Sequence, residues 1–128
     1  MILRYILFSL VFFSFFSCDT NQRKMNLIDG QWQGAVLLEQ GDSVSVDPTD
    51  LKFTFDQEDK TYTYQSTLNY REAGNFYIQT KYLFTEDTLK ANPLEKSVEI
   101  LQLDADSLHI KMMDKGRERV MKLAKIGE

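Results

Sequence analysis

The sequence predicts an all-β domain, a small antiparallel up-and-down barrel of seven to eight strands behind a cleaved signal peptide. Three observations carry this expectation. Successive segments alternate apolar and polar residues with a period of two. Short turns rich in Asp, Gly and Pro separate them. Nothing after residue 30 combines the length and the 3.6-residue period of a helix. Consecutive antiparallel strands of this kind close well into a barrel, which removes exposed edges, and a two-sheet sandwich is the alternative.

The chain begins with Arg4 as the only charge before Asp19, and Tyr5 to Ser17 (YILFSLVFFSFFS) is apolar apart from small serines. A membrane-spanning helix needs about 20 apolar residues, so this run is too short. A positive start, a short apolar core and a small residue before a polar break describe a secretory signal peptide over residues 1–17. The sequence Phe15-Phe16-Ser17-Cys18 resembles the lipobox of bacterial lipoproteins, with Phe15 in place of the usual Leu. That resemblance implies cleavage before Cys18 and acylation of its thiol, with diacylglyceryl and palmitate-type chains holding the protein on the bacterial cell envelope at the outer membrane. It also accounts for an unpaired cysteine in an oxidising compartment. A plain secreted protein and a buried free thiol are the alternatives. Residues 18–26, with the polar run Asp19 to Lys24, read as a flexible lipidated tether, and residues 27–128 as the folded domain.

The elements follow in order. Gln31 to Glu39 is the first strand, Gln40-Gly41-Asp42 a turn, and Ser43 to Val46 a short return strand. Asp47-Pro48-Thr49-Asp50 breaks it, because Pro offers no ladder N–H. Leu51 to Asp56 alternates cleanly, with Leu51, Phe53 and Phe55 on one face. After the turn at Gln57 to Asp59, Thr61 to Leu68 places Tyr62, Tyr64, Ser66 and Leu68 together. Gly74 restarts the pattern, and Phe76, Ile78, Thr80, Tyr82 and Phe84 continue it as one strand. Thr85 to Lys96 reads as a mobile charged loop, dispensable for folding. Ser97 to Leu103, Ser107 to Met113 and Arg117 to Lys125 finish the set, separated by turns at residues 104–106 and 114–116.

Composition narrows the function classes. Cleavage removes Arg4 from a chain of net charge −4, leaving −5, a poor balance for binding nucleic acid. Positive charge gathers at the C-terminal end, where six Lys and Arg side chains face Asp114 and Glu118 over residues 107–125. This basic hairpin reads as a solvated face, with contact to anionic headgroups as the alternative. His109 is the only histidine, flanked by Leu108 and Ile110 and so on the outward face. No His-rich metal site, nucleophile-elbow motif or cofactor motif is present. The acidic stretches Asp56 to Asp59 and Asp104 to Asp106 match no calcium loop and read as turns. The expectation is therefore a non-enzyme with neither metal nor cofactor.

Gly30-Gln31-Trp32, a G-x-W at the head of the first strand behind Leu27-Ile28-Asp29, resembles the opening motif of lipocalins and of the small lipocalin-like domains of bacterial lipoproteins. Tyr70 to Gly74 and Val120 to Leu123 are similar to the small bacterial relatives. The resemblance implies that Trp32 closes one barrel end and that a basic residue of the last strand packs over it, Arg119 ahead of Arg117. Phe53, Phe55, Tyr62, Tyr64, Phe76 and Tyr82 are the candidate interior rings, either lining a cavity for a small hydrophobic or amphipathic ligand or filling the core. Two functions follow from these alternatives: a ligand-binding module, or a filled barrel that docks on an envelope protein complex.

Overall fold

A computed structural model describes residues 20–43, 47–66, 69–114 and 116–127. The signal peptide, Cys18 and its acylation, most of the short return strand and Leu68 lie outside the described residues. Residues 20–28 form a helix, α1. The strands are β1 (Gly30–Glu39), β2 (Asp42–Ser43), β3 (Lys52–Asp56), β4 (Thr61–Gln65), β5 (Arg71–Gln79), β6 (Tyr82–Asp87), β7 (Glu95–Leu103), β8 (Ser107–Asp114) and β9 (Arg117–Gly127). Each of β3 to β8 pairs antiparallel with the next, β1 pairs with β3, and β9 returns to pair with β1. The result is the closed eight-strand up-and-down barrel, with β2 folded back along the end of β1.

Alternation explains why these segments are strands. In β3, Phe53 and Phe55 are buried while Lys52, Thr54 and Asp56 are exposed. The other strands contribute inward residues by the same period, and Trp32, Phe55, Ile28, Leu83, Leu108, Ile110 and Leu123 are the largest side chains sealed in the core. Two glycines let the wall curve tightly. A Cβ on Gly34 would clash with the Pro48 carbonyl, and one on Gly74 with the Glu86 carbonyl.

The barrel has two different ends. Helix α1 lies across one of them. Its Met25 and Ile28 join the core, Asn21 Oδ1 accepts from the Thr80 N–H at 3.3 Å, and the Lys24 ammonium donates to the Thr80 carbonyl. Asp29 Oδ1 accepts from the Gln57 N–H at 2.9 Å, which ties the exit of α1 to the β3–β4 turn. The expected flexible tether is therefore replaced by helix over residues 20–26, because apolar Met25 and Ile28, three residues apart, share a helical face that the barrel end buries. The other end carries the β4–β5, β6–β7 and β8–β9 connections and stays open.

Two further expectations change. Gly74 to Phe84 is not one strand, because the chain reverses at Thr80-Lys81 and Gln79 pairs with Tyr82. Beyond that reversal the inward residues are Leu83, Thr85 and Asp87, so Tyr82 faces out. The long loop is also shorter than expected. Strand β6 runs to Asp87 and β7 begins at Glu95, and Asp87 is 3% exposed, with Oδ1 accepting from the Ala73 and Leu89 N–H groups at 3.3 and 3.1 Å.

Candidate binding site at the open end of the barrel

Trp32 sits fully buried beneath α1, and its Nε1 donates to the Ile28 carbonyl at 2.8 Å. That carbonyl belongs to the last turn of α1 and has no helical partner, so the indole satisfies it. The cation over the ring is Lys125, with its ammonium 5.4 Å from the ring centre and 3.5 Å from the Leu27 carbonyl. Arg119 does not fill this place. It stands opposite Glu39 near the open end, 3.8 Å from that carboxylate, and Arg117 pairs with the same Glu39 at 3.3 Å. The cause is register. Two bulges, one at Ile126 in β9 and one at Ala35 in β1, set Trp32 against Lys125 and Glu39 against Arg119.

Above the sealed core, the open end holds a half-enclosed cavity of about 110 Å³. Phe53, Tyr62 and Tyr64 form one wall, and Val98, Met112 and Met121 the other. Phe53 stacks on Tyr64 with centroids 4.4 Å apart, and Tyr64 meets Tyr70 edge-on at 6.2 Å. Of the other candidate rings, Phe55 and Phe76 pack edge to face at 5.0 Å in the filled core below, and Tyr82 lies outside under the Lys81 ammonium. Two wider depressions, about 350 Å³ beside Asp29 and Glu58 and about 280 Å³ beside Gln65 and Asn69, are more open and polar-walled, so they offer less desolvation than the apolar cavity.

The polar groups of the cavity converge on Glu72, which is 8% exposed. Its Oε1 accepts from the Tyr62 hydroxyl at 3.0 Å, and its Oε2 from the Tyr70 hydroxyl at 2.6 Å. The Lys96 ammonium lies 3.4 Å from Oε2. Burial, reinforced by the Glu72 charge, pushes the Tyr62 phenol well above its ordinary range. The hydrogen bond to Glu72 is the first cause of the same upward shift at Tyr70, and burial that at Tyr64. Tyr62 and Tyr70 therefore act as neutral donors to one carboxylate, with the neutral Tyr64 phenol beside Ser66 and within reach of the Glu72 charge. Beside them Lys90 bridges Asp87, at 3.7 Å, and the Tyr70 hydroxyl, at 3.5 Å.

Glu72, Lys96 and Tyr70 are absent from the sequence-based candidates. A signal existed for the first: stepping back by two from Phe76 passes Gly74 and reaches Glu72, which puts the carboxylate on the inward face. The acidic turns do what turn carboxylates do. Asp56 Oδ1 accepts from the Glu58 N–H, and Asp104 Oδ1 from the Asp106 and Ser107 N–H groups. Among the described residues no cluster of His, Cys, Asp or Glu is arranged to hold a metal ion. His109 lies opposite Lys122 on the outer face, and partial burial and then Lys122 hold its pKa below the usual histidine range. Compared with known proteins, the sequence matches no family model and is significantly similar to no curated protein.

Proposed function

We propose that this is a lipid-anchored protein of the bacterial envelope that holds the apolar part of a small amphipathic molecule in its barrel mouth, without catalysis. The observation that carries the reading is the apolar, aromatic-walled cavity with a polar cluster at its rim. Its size limits the occupant. Drug-sized ligands occupy pockets of roughly 300–1,000 Å³, whereas a void of about 150 Å³ suffices for benzene. A cavity of about 110 Å³ that is open on one side suits one ring or a short alkyl end, with the remainder projecting. Met112 and Met121 line it with flexible, polarizable side chains that adapt to shape. The lipocalin-like reading draws support from a closed up-and-down barrel and from a G-x-W tryptophan sealed at one end beneath a cation of the last strand. The anchoring reading rests on the lipobox-like Phe15 to Cys18.

The test is native mass spectrometry of the full-length protein extracted from its own membrane, with and without Met112→Phe, a substitution that fills the cavity. A small molecule carried by the natural chain and lost in the variant supports the reading. A chain that carries nothing and takes up no small aromatic probe overturns it. One observation favours a second reading as a docking module. On the outer wall Tyr77 stacks on Phe84 at 4.7 Å beside Tyr82, and both tyrosines are solvent-exposed.

A further inference from the structure

We infer that the cavity selects cations, and that its ligands are primary alkyl- or arylalkylammonium ions whose ammonium takes the place of Lys96 on Glu72. The inference rests on the cavity being a binding site and adds the chemical class of its ligand. Of the charged groups at the rim, Glu72 and Lys96 form a pair whose members differ in their freedom. Glu72 is held on β5, almost wholly buried, with each carboxylate oxygen fixed by a tyrosine hydroxyl. Lys96 is the second residue of β7, at the lip, and its side chain is 52% exposed. It reaches Glu72 by a long stem whose head can return to water. The exchangeable partner is therefore the cation.

An anionic ligand meets the opposite situation. It would draw Lys96 away and leave the Glu72 carboxylate buried without a counter-charge, which is the costly arrangement. An ammonium ligand restores what it displaces. The surrounding rings favour it too, since Tyr62, Tyr64 and Tyr70 flank the carboxylate, and aromatic faces attract cations. Lys90 already demonstrates this chemistry at the rim, with its ammonium 6.0 Å from the Tyr70 ring centre. Below Glu72 the walls turn apolar at Val98, Met112 and Met121, so one ring or a short chain attached to the ammonium carbon enters there.

The test is calorimetric titration of the full-length protein at neutral pH with benzylammonium, benzyl alcohol and benzoate, three probes that share one ring. Benzylammonium should bind at least about tenfold tighter than the other two, as expected for a charge-assisted hydrogen bond in a desolvated site. Glu72→Gln should remove that advantage, bringing benzylammonium down to the affinity of benzyl alcohol in the same variant. Lys96→Met should raise benzylammonium affinity by removing the competing cation, and should lower the melting temperature of the ligand-free protein because Glu72 loses its counter-charge. Preference for benzoate, or no gain in Lys96→Met, overturns the cation inference while leaving the cavity reading intact. Failure of all three probes overturns both.

Discussion

The Trp32 indole donates through Nε1 to the Ile28 carbonyl while the Lys125 ammonium covers its ring, so one side chain joins α1, β1 and β9. Truncating it to Ala removes a sealed ring and leaves a cavity, at a cost of about 3–5 kcal/mol measured by chemical denaturation. Because Trp32 is the only tryptophan, its emission reports on this end alone. The emission of the natural chain should be blue-shifted and poorly quenched by iodide. Lys125→Ala should shift it and Arg119→Ala should not, and the reverse result would return Arg119 to the ring. Trp32 was legible because a large ring behind a Gly at a strand start has a recognisable setting. Lys125 was not, because the pairing of first with last strand depends on a bulge in each of β1 and β9 that no local pattern announces. Asp87 teaches the same lesson in the loop. Its carboxylate looked solvated among Glu86, Thr88 and Lys90, yet it accepts from two backbone N–H groups. Asp87→Ala strands both donors and should destabilise by about 1–3 kcal/mol.

At the scale of elements, strand β3 and the hairpins around Asp104 and Gly116 follow from alternation and turn chemistry. The β5–β6 hairpin does not, since Thr80-Lys81 carries no Gly, Asn or Pro. Thr80 adopts φ 54°, a left-handed value unusual for a β-branched residue. Helix α1 holds that turn from outside through Asn21 and Lys24, so a contact distant in sequence fixes what the local residues leave open. Reading straight through the turn is what misplaced Tyr82. The β6–β7 connection makes a sharp prediction. Replacing Leu89 to Leu94 with a Gly-Ser linker should leave the melting temperature nearly unchanged, because Leu89 and Leu94 are exposed and the segment is outside both strands. Extending the replacement back to Glu86 should lower it by several degrees through loss of Asp87. Equal effects from the two replacements would mean that the connection itself braces the barrel mouth.

The whole molecule is a barrel with one end sealed by α1 and the other open at Glu72, and this polarity is where the folded domain meets the proposed anchor. Helix α1 is described from residue 20, two positions after Cys18, and consecutive Cα atoms lie about 3.8 Å apart. An acyl chain on Cys18, as proposed, would hold the sealed end near the membrane and point the cavity mouth into the aqueous phase. Strand β1, 10 residues long at about 3.3 Å per residue and tilted as barrel strands are, separates the two ends by roughly 25 Å. In that orientation a ligand would reach Glu72 from solution rather than by sliding from the bilayer, as the proposed site for a small ammonium ion requires. Cys18 is the only cysteine, so acylation would leave an introduced cysteine as the sole thiol for labelling. Glu58, exposed in the β3–β4 turn beside α1, and Ala91, exposed in the β6–β7 connection, mark the two ends. With donor dyes on Glu58→Cys and Ala91→Cys of the acylated protein in liposomes, energy transfer to a headgroup acceptor should be markedly stronger from position 58. Equal transfer would mean a barrel lying on its side, and stronger transfer from position 91 a mouth facing the lipid. Cys18→Ala should abolish fatty-acid labelling and release the protein from the membrane. Retained labelling in that variant would remove the anchor on which this orientation rests.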